Sequence, residues 1–190
     1  MQDVIKKNFS EHINVINNTL EANNNLIEHY GELLSSCLEK KGTIFWCGNG
    51  GSASDSQHLA AELIGRYDKN RKPIRSISLS SDAAVMTCIS NDFGYDELFA
   101  RQLEGLGKKG DILIAITTSG KSQNVLNAIN QAKRMQIHTI GLLGKGGGKA
   151  KLLCDTAIIV PSQTTARVQE MHILFGHIFC DLIEEGLDLK

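Results

Sequence analysis

Thr43-Ile-Phe-Trp-Cys-Gly-Asn-Gly-Gly-Ser-Ala-Ser54 is an apolar run that stops abruptly in a glycine-rich turn. A strand of this kind, followed at once by a helical pattern at Ser54–Tyr67, is the opening of a βα unit. Similar short apolar runs recur at Ile74–Leu79, Ile112–Ile116, Thr139–Leu143 and Ala157–Val160. Helical stretches separate or follow them, at about Ala83–Ser90, Asp96–Leu106, Ser122–Met135 and Thr165–Glu185. Strands apolar on both faces that alternate with helices form a parallel sheet covered on both sides. The expected fold is therefore α/β, a three-layer sandwich around a five-stranded doubly wound parallel sheet. In such sheets ligands sit beyond the carboxyl ends of the strands.

Residues 1–41 lack a strand-like run. Val4, Ile5, Phe9, Ile13, Ile16 and Leu20, then Leu26, Ile27, Leu33, Leu34 and Leu38, follow helical spacing. The reading is two helices with a weak point at Ala22–Asn25, the alternative being one helix with an irregularity there. Their apolar stripes need a partner, either residues 42–190 or another subunit.

Composition narrows the partners. The chain has 190 residues, enough for one domain with a full core, and 20 basic against 21 acidic residues, a net charge of −1. No basic face argues for nucleic acid or a membrane surface. Met1–Ser10 is polar and charged, and no apolar run is long enough to span a bilayer. Cys37, Cys47, Cys88, Cys154 and Cys180 are odd in number and form no C-x-x-C pair, which favours a reducing, cytoplasmic setting.

Two loops that follow strands can cradle an anion: Gly48-Asn-Gly-Gly-Ser-Ala-Ser54 and Thr117-Thr-Ser-Gly-Lys-Ser122. Glycines admit close backbone approach, helix N-termini present free N–H groups, and hydroxyls add donors. Neither loop is the nucleotide P-loop, and the first fails the dinucleotide fingerprint, which removes the case for an NAD-dependent dehydrogenase. Taken singly, Gly48 and Gly51 could serve only a tight turn, and Ser122 only as an N-cap.

Beyond the first loop, His58 and Glu62 stand at i, i+4 and share a helix face, with Arg66 continuing the row. The spacing suits a zinc-like cation and equally a surface hydrogen-bonded pair. Later, Thr164-Thr-Ala-Arg-Val-Gln169-Glu-Met-His172-Ile-Leu-Phe-Gly-His177 places Gln169 and His177 in an otherwise apolar helix, where polar groups require partners. His177 reads as a core or interface histidine or as a ligand; His172 reads as solvent-facing or locally bonded.

The two loops together resemble the sugar-isomerase (SIS) domain. Adding Gln57-His58-x-x-x-Glu62, Gly65-Arg66-Tyr67, Cys88-Ile-Ser-Asn91-Asp92-Phe-Gly94 and Arg167-Val-Gln-Glu-x-His172 with His177, the chain is similar over nearly its whole length to the phosphoheptose isomerases. That resemblance implies an N-terminal helical extension over 1–41 for oligomerisation, a SIS domain over 42–190, and homotetramers with sites at subunit interfaces. It implies that Thr117, Thr118, Ser119 and Ser122 hold the phosphate of a small sugar phosphate. Asn49, Gly50, Gly51, Asn91, Asp92, Glu62 and Gln169 would contact the remainder of the substrate. One Zn2+ per subunit would be bound by His58, Glu62, Gln169 and His177. The implied reaction is conversion of sedoheptulose 7-phosphate to D-glycero-D-manno-heptose 7-phosphate through an enediol; for it we assign Glu62 as base and His177 as acid–base partner, with Asp92 or a metal-bound water in reserve. Some close relatives carry Asp where this chain has Ala166.

Non-catalytic SIS relatives that associate with the replication initiator keep the Arg167–His172 pattern but lack the counterparts of Glu62 and His177, both present here. Etherases of N-acetylmuramic acid 6-phosphate use the same domain in longer chains. One geometric expectation remains. Gln169 and His177 are eight residues apart, about 12 Å along a straight helix. Donors on one metal lie only about 4 Å apart. Either the helix bends or two subunits share the site.

Overall fold

A computed structural model describes residues 1–187, the side chains of residues 24 and 25 excepted. Five parallel strands, β1 (Ile44–Gly48), β2 (Ser76–Ser78), β3 (Ile112–Thr117), β4 (His138–Gly144) and β5 (Thr156–Val160), form one sheet in the order β2-β1-β3-β4-β5. The helices are α1 (Gln2–Glu39), α2 (Gly51–Ile64), α3 (Ala83–Phe93), α4 (Leu98–Leu106), α5 (Gln123–Arg134), α6 (Ala150–Leu153) and α7 (Thr165–Gly186). A 3₁₀ turn over Tyr95–Glu97 joins α3 to α4. The expected sheet and its flanking helices are all present; α6, a single turn, is an addition.

Alternate strand residues feed the two faces. Ile44, Trp46, Ile112, Ile114 and Ile116 enter one core with Tyr30, Leu34, Leu59, Leu63, Phe175 and Phe179 of α1, α2 and α7. Phe45, Cys47, Leu113 and Ala115 enter the other with Leu98, Leu103, Val125 and Ile129 of α4 and α5. The sheet is thus buried on both sides, as its unbroken apolar strands require. All five cysteines are free thiols. Among the described residues no helix is long and apolar enough to cross a membrane.

The N-terminal region corrects one expectation. Instead of two helices it is a single helix of 38 residues. The polar residues near the expected break bond back into the helix: Thr19 Oγ1 donates to the Val15 carbonyl (2.6 Å) and Asn23 Nδ2 to the Thr19 carbonyl (2.8 Å). Its C-terminal half lies against α7, where Tyr30 meets Phe179 edge-on at 5.9 Å. Ile5, Phe9, Ile13 and Leu20 of its N-terminal half are exposed.

Candidate active site

Strand order reverses between β1 and β3, which are neighbours. The crevice beyond that point is therefore bounded by the two loops singled out in the sequence. A reciprocal amide pair ties them together. Asn49 Nδ2 donates to Asn124 Oδ1, and Asn124 Nδ2 donates to Asn49 Oδ1, both at 2.9 Å. Tyr95 Oη adds a third bond to Asn49 Oδ1 at 2.7 Å. Asn124 is buried in the first turn of α5, and nothing in the sequence pattern separates it from an ordinary helix-start residue. Tyr95, in an exposed turn, was equally unmarked.

The Ser/Thr loop closes on itself. Thr117 Oγ1 accepts the Gly120 N–H (3.2 Å), and Ser119 Oγ accepts the Lys121 N–H (3.2 Å). Thr117 is buried, whereas Thr118, Ser119 and Ser122 are half-buried at the crevice. Ser122 occupies the N-cap position of α5, yet its hydroxyl makes no capping bond. The hydroxyl is free to face a ligand, contrary to a purely capping role.

At the other wall, α2 starts at Gly51 directly after Asn49 and Gly50. Gln169 of α7 packs where a side chain at position 51 would be, because a Cβ there would run into its Nε2. A side chain at 51 would displace the Gln169 amide from this position. Gln169 therefore lies over the first turn of α2, at the crevice. The rest of its sequence segment turns elsewhere. Arg167 donates to the Asn8 carbonyl (2.7 Å) and to Glu170 (2.6 Å), and Glu170 meets His12 Nδ1 at 2.7 Å, so both hold α1.

His58, Glu62 and His177 come together within a single chain. His58 Nε2 is 3.1 Å from His177 Nε2 and 3.3 Å from Glu62 Oε1, and the three residues each offer a ligand atom within 4.8 Å of the others. The 119 positions between the two histidines explain why spacing alone could not pair them. Tyr67 stacks on His177 with ring centroids 5.7 Å apart at 24°. Two imidazole nitrogens and a carboxylate oxygen facing one another present lone pairs to a common point. They suit a cation of zinc type, whose bonds of about 2.0–2.2 Å to such donors place them about 3–3.5 Å apart.

One turn before His58, Asp55 is half-buried, and its Oδ2 has no hydrogen-bond partner. Burial raises its pKa, while His58 pulls it down. Asn91 and Asp92 lie on the exposed last turn of α3, bonded to each other (Asn91 Nδ2 to Asp92 Oδ1, 2.7 Å), one turn before Tyr95. Ala166 is exposed at the start of α7.

His172 corrects another expectation. It is fully buried rather than solvent-facing, and neither ring nitrogen finds a full hydrogen bond. Burial pushes its pKa down to about 4, the Leu143 backbone opposing only in part. Its place in the core follows from the helical stripe Val168–His172–Phe175–Phe179.

A doubly wound parallel sheet with a hydroxyl-rich loop at its switch point is the architecture of a SIS-domain protein, and the SIS domain model matches residues 8–144. The phosphoheptose isomerase of Helicobacter pylori strain P12 is 52% identical over 184 residues, covering 97% of this chain and 96% of that protein. Two solved phosphoheptose isomerases superpose on the fold. That of Neisseria gonorrhoeae gives a TM-score of 0.92 at 37% identity, covering 97% of this chain and 98% of that one. That of Francisella tularensis gives 0.94 at 35% identity with the same coverage. The chain belongs to the phosphoheptose isomerase family.

Proposed function

We infer that the protein isomerises sedoheptulose 7-phosphate to D-glycero-D-manno-heptose 7-phosphate, the first step towards nucleotide-activated heptose. The convergence of His58, Glu62 and His177 carries this reading, because a binding-only SIS protein needs no such triad. Family membership supports it over the whole chain.

In this reading Thr118, Ser119 and Ser122, with Thr117 shaping the loop, receive the phosphate. Asn49, Gly50, Gly51, Gln169, Asn91 and Asp92 contact the sugar chain. Glu62 removes the C1 proton of the ketose, leaving an enediolate. His177 serves the oxygens, moving a proton between O1 and O2, and the proton returns to C2 to give the aldose. His58, Glu62 and His177, joined by Gln169 through either a bend in α7 or a second subunit, would hold one zinc ion. When bound, such a cation supplies Lewis-acid polarisation of the carbonyl. Glu62 must be unencumbered when it takes the proton, since a carboxylate engaged by a cation is a weaker base.

The exposed stripe of Ile5, Phe9 and Ile13 on α1 supports assembly through that helix, in homotetramers with sites at subunit interfaces. A cytoplasmic setting agrees with five unpaired cysteines. The decisive experiment incubates purified protein with sedoheptulose 7-phosphate, with and without a chelator. Aldose 7-phosphate should form, and chelator should suppress it, with zinc restoring activity. Metal-replete protein that yields no aldose leaves a sugar-phosphate-binding protein instead.

A further inference from the structure

The two helices that supply the triad are joined a second time, away from it. α2 ends where Gly65 follows Ile64, and the last carbonyls of a helix have no partner within it. Arg71 provides one. Its Nη2 donates to the Glu62 carbonyl at 3.0 Å and its Nη1 to the Leu63 carbonyl at 2.9 Å. Through Nε the same guanidinium reaches Glu184 Oε1 on α7 at 2.6 Å. The other oxygen of Glu184 accepts the backbone N–H groups of Asp68 (3.3 Å) and Lys69 (2.9 Å). The two side chains are only 1% and 2% exposed.

This placement reaches the triad from both sides. Arg71 grips the backbone of Glu62 itself. Glu184 lies seven residues beyond His177, about 10 Å along α7. The amides that Glu184 holds directly follow Tyr67, whose ring is stacked on His177. A buried ion pair is weak support for stability by itself, since apolar residues of similar volume often serve as well. Bonds to Glu62 and to the Tyr67 loop are what a positioning role requires.

We propose that Arg71 and Glu184 are positioning residues for the isomerisation: their ion pair sets the α2–α7 spacing and presses Tyr67 against His177, keeping His177 in reach of His58 and Glu62. The inference rests on the isomerase reading for its catalytic consequence, but not for its geometric one.

Arg71→Lys keeps the charge and loses the fork, so it cannot bond Glu184 and both carbonyls together. The test uses the full-length chain, ¹³C-labelled at histidine, stripped of metal and held at one pH. In wild type the His177 ring C–H resonance carries the ring current of Tyr67; in Arg71→Lys it should move towards the position of a free histidine. In metal-replete protein kcat should fall about 10–100-fold, as loss of supporting residues around such sites typically costs, with KM within about threefold. Circular dichroism establishes that the variant is folded. Should Arg71→Lys not fold, the double variant Arg71→Met/Glu184→Leu, which leaves no buried charge unpaired, is read in the same way. An unmoved His177 resonance in a folded variant overturns the proposal, as does a moved resonance with unchanged kcat. Wild type that does not turn over sedoheptulose 7-phosphate removes the isomerase reading, and the resonance still decides whether the pair holds Tyr67 on His177.

Discussion

The two walls of the crevice are built by different means. The Ser/Thr loop at 117–122 is closed by bonds between residues two and three apart, Thr117 with Gly120 and Ser119 with Lys121, and is tied to the segment after β4 by the Ala150 N–H donating to the Gly120 carbonyl at 3.0 Å. The triad wall has one local contact, His58 with Glu62 four residues on, and takes its third member from a distant helix. His58 and Glu62 on α2 meet His177 on α7 across 119 positions of chain, and their mutual placement depends on how two helices dock. In the proposed reading a phosphate is gripped by groups that sit close together along the chain. Proton transfer requires groups placed to within fractions of an ångström, and here these come from separate elements. Variants on the triad wall should therefore cost turnover in a folded protein, and variants in the loop should cost folding or binding.

The largest effect tests the first half of that contrast. Glu62→Gln keeps the shape of the side chain and removes the proposed base. Because the Glu62 side chain is partly exposed and the substitution keeps its shape, the fold should survive unchanged. Turnover should drop by about 10³-fold or more, within the range that general-base catalysis supplies. Steady-state assay alongside a thermal melt checks both, and full activity in a folded variant sets Glu62 aside as the base.

The next effect belongs to the loop. Gly120 has φ +63°, and a methyl group there would overlap the carbonyl of Gly147 in the loop after β4. Gly120→Ala thus combines left-handed strain with overpacking against backbone that cannot rotate aside. It should destabilise the protein by about 2–4 kcal/mol in denaturant unfolding. A variant of wild-type stability with weakened substrate binding alone would show the loop to be more pliable than its bonds indicate.

The same contrast explains what was legible in the sequence. Each strand is a short apolar run broken by glycine, serine, threonine or proline, so the sheet and both loops can be read directly from Thr43–Cys47 and Ile112–Ile116 onward. Spacing on one helix marked His58 and Glu62 but left a surface pair equally open; what completes the triad is docking, which no periodicity encodes. Nothing in the sequence marks Asn124 and Tyr95, for the same reason: their role exists only once β1 and β3 are side by side. The Asn-rich stretch in α1 read as a hinge because asparagine disfavours helix, yet Asn23 and Thr19 satisfy themselves on the helix backbone. The polarity of His172 points outward, but its position on the stripe of Val168, Phe175 and Phe179 places it inside.

His172 sharpens the comparison through pH. In the folded protein its pKa is near 4, against an ordinary value of 6.5, because burial disfavours the charged ring. The folded state therefore takes up a proton less readily than the unfolded chain. Stability from this group is fully present above about pH 6.5 and is lost as pH falls towards 4, by on the order of 2–3 kcal/mol. His172→Met, of similar bulk and without a titrating group, should flatten the loss between those limits, as read by urea unfolding at several pH values. The loss enters through α7, the helix that also carries Gln169 and His177, while the Ser/Thr loop has no titrating side chain in its closing bonds. Hydrogen exchange at about pH 4.5 should accordingly show α7 amides opening more readily than those of Thr117–Ser122, and His172→Met should remove that difference. Equal opening of both walls would mean that the loop draws its stability from α7 after all, and that the two walls are one cooperative unit.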